Sequence, residues 1–281
     1  MSRILASLAL VLTAALPAAG QLPGVPLNGI ANATVSGNTV SFNIVLPGDI
    51  GADATLSFEN AVGLTVANLG LSARLINPLD PGLLARLPGG TIPVTFPVLL
   101  RIEPPRTGGL SFSGIVSLEL HTHNLQLVIP CPLRLFDAPI GGPFEDITAG
   151  IGTGSYRARG TAGGFSEFLI ALDIRPVDQV IAAKLDRLDQ ILADNAGSIT
   201  PSIQANLAAR LTTIRADAQH GSTQTAIQDV NDFLAYVQQK SGNGIPNVWR
   251  SARDLVDVAG LLRSEAMTLQ FSLGLKSDQG L

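Results

Sequence analysis

Along residues 30–172 apolar and polar side chains alternate in short runs, whereas from Val177 onward apolar residues recur at helical spacing. The first pattern is that of strands with one buried face, and the second that of amphipathic helices. In the first region Val40-Ser41-Phe42-Asn43-Ile44-Val45 follows the turn Ser36-Gly37-Asn38-Thr39, which makes Ala33-Thr34-Val35 its hairpin partner. Further strands are predicted over 53–58, 63–68, 71–76, 92–102, 110–120, 125–129, 133–136, 154–159 and 165–172. No long helical pattern separates them, so the expectation is an antiparallel β-sandwich, Ig-like or jelly-roll in type, over 21–175. Asp80-Pro81 opens one helical turn between strands, with Asp80 as N-cap and Pro81 at N1.

Pro176 marks the change of pattern. Val177, Val180, Ile181, Leu185, Leu188, Ile191 and Leu192 fall on one helical face, and Gly197 stops that helix. Thr200-Pro201 starts a second, with Ile203, Leu207, Leu211 and Ile214 inward, and Gly221 ends it. Ser222 caps a third that buries Ala226, Ile227, Val230, Phe233, Leu234 and Val237, closed by Ser241-Gly242-Asn243-Gly244. Pro246 opens a fourth with Val248, Ala252, Leu255, Val256, Ala259 and Leu262 inward, its pattern fading past Met267. Short connections make neighbouring helices antiparallel. The expected fold class is therefore α+β and multidomain, the sandwich being followed by a small up-and-down four-helix bundle over 176–268 and a C-terminal tail over 269–281. The linker Asp173–Pro176 is so short that the bundle is expected to dock on the sandwich.

His220-Gly221, Ala226-Ile227, Phe233, Val237, Asp254-Leu255, Ala259 and Leu262 together resemble the FIMAH domain, a helical module near the C-termini of exported bacterial proteins. The resemblance covers about residues 180–265 and implies an accessory module; it brings no catalytic residue.

The N-terminus carries an address. Arg3 precedes an uninterrupted apolar run from Ile4 to Leu16, Pro17 ends it, and Ala18-Ala19-Gly20 places small residues before a cut near Gly20. That is the pattern of a secretory signal peptide over 1–20, so the mature chain is expected to be secreted or periplasmic. No later run reaches the length of a membrane-spanning helix, so no transmembrane anchor is expected in the mature chain. With 46% hydrophobic and 14% charged residues the chain is not of disordered type. Its 18 Lys+Arg against 22 Asp+Glu exclude the basic footprint of a nucleic-acid binder. A single cysteine, Cys131, permits no internal disulfide, and its apolar neighbours make it a buried small hydrophobe.

Two groups of residues could hold a metal. On a straight strand Glu119, His121 and His123 point the same way, and a carboxylate with two imidazoles suits a zinc-type ion. Against this, Leu118 and Leu120 have the opposite parity to Leu125 and Leu127, so a tight turn over His121–Asn124 is the simpler reading. Asp137, Glu145 and Asp146 bracket a Gly/Pro-rich loop whose oxygens could hold Ca2+, although the spacing is not that of an EF-hand. No cofactor is expected otherwise; Ca2+ and Zn2+ are the alternatives.

Other chemistry finds less footing. Gly150-Ile151-Gly152-Thr153-Gly154 lacks the helix and the lysine of a phosphate loop. Gly164-Phe165-Ser166-Glu167 lacks the second glycine of a nucleophile elbow. Trp249, at the start of the expected fourth helix, reads as a packing residue. The expected function is that of an exported, non-enzymatic binding or structural protein of the bacterial envelope or extracellular space, its ligand unidentified. The alternative is a secreted hydrolase or metal-dependent module whose site lies near His121/His123 and Asp137/Glu145/Asp146, with Glu167 as a further candidate acid.

Overall fold

The computed structural model describes residues 26–152 and 154–278, so the expected leader over 1–20 and the last residues of the expected tail lie outside the described residues. β1 (Ile30–Ser36), β2 (Thr39–Leu46) and β3 (Ile50–Val62) form an antiparallel meander. The turn α1 (Val66–Leu69) leads to β4 (Leu71–Leu75), the turn α2 (Pro81–Leu84), β5 (Gly90–Thr91) and β6 (Val98–Ile102). Next come β7 (Ser111–Gln126), β8 (Leu133–Ala138), β9 (Glu145–Asp146), β10 (Thr148–Gly152), β11 (Ser155–Ala162) and β12 (Glu167–Asp173). The chain ends with α3 (Val177–Asp194), α4 (Pro201–Gln219), α5 (Thr223–Lys240), β13 (Val248–Arg250) and α6 (Val258–Asp278). The architecture is α+β with two antiparallel sheets: a 7-stranded one ordered β1-β2-β3-β7-β11-β10 with β13 beside β7, and a 6-stranded one ordered β4-β6-β12-β8-β9 with β5 beside β12.

The two sheets share one apolar core. Phe42, Ile44, Leu56, Val116 and Leu118 enter it from the first sheet, and Val98, Leu100, Leu135 and Ile170 from the second. Because side chains alternate across a strand, Leu99, Phe136, Leu169 and Ala171 emerge on the other face of the second sheet. There Leu83, Leu87 and Ile92, from the segment around α2, cover them. Burial on both faces explains why Phe168-Leu169-Ile170-Ala171 is an unbroken apolar run rather than an alternating one.

Several expected strand limits are corrected by local chemistry. Residues 63–68 are not a strand: Thr65 Oγ1 accepts from the Asn68 N–H at 3.1 Å and caps α1, and Gly70 ends the turn at φ +60°. Within 92–102 only Val98–Ile102 extends, because Pro93 and Pro97 have no N–H for a ladder. The run 110–120 extends through Gln126 as the single strand β7, so that of the expected strand 125–129 only the first two residues are strand, and residues Thr148–Gly152 of the glycine-rich segment pair with β11 as a strand.

Three of the helices lie where the spacing predicted, with Gly221 at φ +78° after α4. Their inward residues, from Ile181 through Leu207 to Phe233, form a second core. The fourth helix does not begin at Pro246. Val248–Arg250 instead form β13, which pairs with Ser111–Ser113 of β7, and the final helix starts at Val258 and consumes most of the expected tail. Val248, Leu255 and Val256, expected inward, are exposed, and Ala252 is too. The reason is aromatic. Trp249 stacks on Phe112 at 5.0 Å and meets Phe165 edge-on at 5.1 Å, a buried site that a helix over these residues would not reach.

α6 joins the two cores. It packs on α3 and α5 and also on β7, β10 and β11. Asp257, the residue before its first turn, accepts from the Gly260 N–H at 2.6 Å. Close approach to the sheet requires glycine at two places. A Cβ on Gly260 would lie 2.7 Å from the Gly114 carbonyl oxygen, and one on Gly163 would lie 2.6 Å from the Leu261 nitrogen. Arg263 clamps the outside with two bonds to Glu59, at 2.6 and 2.7 Å.

Candidate functional site

Two polar clusters draw on the residues that the sequence singled out. The first lies on the outer face of the seven-stranded sheet. Since Leu118, Leu120 and Thr122 are buried, the odd positions of β7 face outward, and Glu119, His121 and His123 share one face as straight-strand geometry requires. The turn expected over His121–Asn124 does not form; β7 continues to Gln126, and the flip in parity is absorbed within the strand between Thr122 and Leu125. Glu119 is drawn away from the imidazoles by Arg159, which bonds its carboxylate at 2.7 Å. In its place Asp53 of β3, opposite His121 in the ladder, approaches both histidines. Its Oδ2 lies 3.2 Å from His123 Nε2 and 3.7 Å from His121 Nδ1. The His123 bond holds the Asp53 carboxyl below its ordinary value.

His121 Nε2 lies 2.5 Å from Ser155 Oγ, so serine, imidazole and carboxylate stand in a row. The row is imperfect as a nucleophilic device. At 3.7 Å the Asp53 contact is too long for a hydrogen bond, and Arg157 Nη2 approaches the same Nδ1 at 3.4 Å. Among the described residues no group of three His, Cys, Asp or Glu side chains is arranged to hold a metal ion.

The second cluster is enclosed. β9 pairs with β8, setting Asp137 opposite Glu145 and Phe136 opposite Asp146, and the β9 end of the sheet faces α3 and α6. A cavity of about 150 Å³ lies there, lined by Phe144, Glu145, Asp146, Ala183, Lys184 and Glu265 among others. Asp146 and Lys184 form a fully buried ion pair at 3.1 Å, and Lys184 Nζ also donates to the Thr268 carbonyl at 3.1 Å. Burial works against the Asp146 charge, yet Lys184 and the bonds from Thr148 hold its carboxyl below the usual range. Arg187 pairs with Glu145 at 2.9 Å, and Arg175 with Asp173 at 2.6 Å.

Two carboxyls behave differently. Asp137, bonded by Ser166 Oγ at 3.3 Å, is pushed up to about 7 by burial and by the Glu145 charge. Glu265, on α6, is pushed up to about 8, again chiefly by burial. Glu265 is 9% exposed and has no hydrogen-bond or ion-pair partner among the described residues. The Asp137, Glu145 and Asp146 set thus does gather in one place, but Glu145 and Asp146 are taken by cations of the chain and Asp137 by the Ser166 hydroxyl, and the histidines stand on the other sheet.

Glu167, the further candidate acid, serves the fold. Arg86 and Arg101 each bond its carboxylate at 2.6 Å, which overcomes the upward push of burial and ties the α2 segment to β12. Cys131 is half-buried and packs against the shared core rather than inside it.

Sequence reasoning missed Asp53, Ser155, Lys184 and Glu265. Asp53 and Ser155 reach His121 only through strand pairing across about 70 and 34 positions, a relation that no local pattern encodes. Lys184 carried a usable signal. It occupies the helical stripe between Ile181 and Leu185, where a charged side chain in a buried row requires a buried partner.

Among the described residues no helix is long and apolar enough to cross a membrane. No curated protein matches the chain. A family model described as a family of unknown function (DUF6689) matches residues 7–276, running through both sheets and the helices, and the chain belongs to that family.

Proposed function

We propose that this chain is an exported, non-enzymatic binding protein of the bacterial envelope or extracellular space, and that the cavity between β9, α3 and α6 holds its ligand. In this reading the two sheets are a sandwich, and the helices are an accessory bundle of the kind that the FIMAH resemblance implies. The observation that carries the reading is Glu265: a residue 9% exposed, with no hydrogen-bond or ion-pair partner among the described residues, lining a cavity whose three cations each already have a carboxylate. A buried polar group without a partner costs free energy, and a ligand that supplies the partner recovers it. The apolar leader and the acidic balance support export and speak against nucleic acid.

The test is made on the mature chain recovered from the periplasm or culture medium. N-terminal sequencing should find Gln21 first. Ala183 stands exposed at the cavity rim, so Ala183→Phe should leave folding intact and abolish the thermal stabilisation that a cavity ligand confers. Recovery of the protein in the cytosol with its leader intact, or ligand stabilisation unchanged in Ala183→Phe, refutes the reading.

The hydrolase alternative has one observation on its side, the row Ser155–His121–Asp53. It requires that a fluorophosphonate reagent label the chain and that Ser155→Ala abolish the labelling. An unlabelled protein removes it.

A further inference from the structure

We infer that the cavity between β9, α3 and α6 takes a small organic cation, a primary ammonium group on a short apolar chain, with Glu265 as its counter-ion. This rests on the proposed binding role of the cavity and adds the class of ligand.

The argument is a count of charges. Three cations line the cavity, which at first suggests an anion. Each, however, already has its carboxylate: Lys184 has Asp146 at 3.1 Å, Arg187 has Glu145 at 2.9 Å, and Arg175 has Asp173 at 2.6 Å. Lys184 spends a further donor on the Thr268 carbonyl. The Lys184–Asp146 and Arg175–Asp173 pairs are largely buried, so an incoming anion that broke either would separate charges where that is most costly, while Arg187–Glu145 is the more exposed pair of the three. Glu265 is the lining group left over. Burial favours its neutral form, and a bound cation supplies the opposite charge that keeps it ionised; its two oxygens then accept and cannot donate, so the complement is a donor carrying positive charge.

Size and surface narrow the class. The volume of about 150 Å³ is close to that in which an apolar cavity holds a benzene-sized guest. Pro88, Phe144, Val180 and Ala183 supply apolar surface to the lining. The Arg86 guanidinium lies 4.4 Å from the centroid of the Phe144 ring and holds the ring in place. A short alkyl chain lies against this surface while its ammonium head reaches Glu265. A fully hydrated metal ion would leave the surface unused.

The experiment compares three probes of one size on the mature chain, n-propylammonium, propionate and 1-propanol, at matched ionic strength and about pH 9, where a burial-raised carboxyl is ionised. The readout is the melting temperature as a function of probe concentration. Propylammonium should raise it in a saturable way, and Glu265→Gln, which keeps the shape and removes the charge, should weaken the apparent affinity at least about tenfold. Ala183→Phe should abolish the effect. If propionate or propanol stabilises as well as the ammonium, and Ala183→Phe removes that effect, the cavity binds but the cationic class is wrong. Equal affinity in Glu265→Gln also overturns the class. If no probe stabilises the wild type, the class and the cavity reading fall together.

Discussion

The two polar clusters contain the same kinds of group and differ in their access to water. On the outer sheet face Asp53 and His123 are each about half exposed, 52% and 51% for their side chains, and water competes for every contact. At the junction of β9, α3 and α6 the Asp146–Lys184 pair is 2% and 4% exposed, and water is almost excluded. The outer contacts are screened and cheap to lose; the inner ones are strong in proportion to what it cost to bury them. A juxtaposition of titratable groups is thus a poor guide to a site until solvent access is known. The outer row looks more like chemistry on paper, yet the inner cavity holds the group left in want of a partner.

This contrast makes ordered predictions. Lys184→Met should have the largest effect, because it leaves Asp146 charged and buried without a counter-ion; a loss of about 3–5 kcal/mol in urea-unfolding stability is expected. The combined change of Lys184→Met with Asp146→Leu should recover most of that loss. A double variant as unstable as the single one would show that the ion pair is not the source.

Glu265→Gln should act next, and with a sign that depends on pH. The folded-state value of about 8 lies above the ordinary 4.5, so the native chain holds this proton more tightly than the unfolded chain. Stability therefore falls as pH rises through that window, and a glutamine, which does not titrate, escapes the fall. The variant should gain on the wild type between about pH 4.5 and pH 8, by an amount on the order of a few kcal/mol at ~1.4 kcal/mol per pH step. A stability difference that is flat with pH would contradict the enclosed character of the cluster.

Asp53→Asn should have the smallest effect, under about 1 kcal/mol, since an exposed pair contributes little. Its depressed carboxyl contributes only above its folded value, so the small difference should vanish as the solution is acidified. A loss comparable with that of Lys184→Met would put the two clusters on one footing.

The order of elements was legible in part, and the misreadings have physical causes. Strand β2 follows plain alternation, and helices α3 to α5 follow apolar spacing between glycine and proline boundaries. The last helix misled because it is buried on more than one side. Ser264, Glu265 and Thr268 are hidden together with Leu262, Ala266 and Leu269, so apolar spacing no longer marks its buried surface. The parity flip favours a turn over His121–Asn124, yet the strand runs on and puts Glu119, His121 and His123 on one face, and the carboxylate that meets the imidazoles is Asp53. Glu119 was taken by Arg159 from the neighbouring strand.

Periodicity, turn formers and caps act over a few residues, and they suffice to say that strands precede helices here and where most of them lie. Which sheet a strand joins, that Val248–Arg250 extends β7 instead of opening a helix, and that Glu265 faces a cavity are settled by contacts between distant segments. Those contacts depend on aromatic packing around Trp249, on the close approach allowed by Gly163 and Gly260, and on which charges find partners before water is excluded. Apart from Lys184 in its apolar helical stripe, these have no local signature, because the free energy of burying a group depends on what surrounds it and not on its neighbours along the chain.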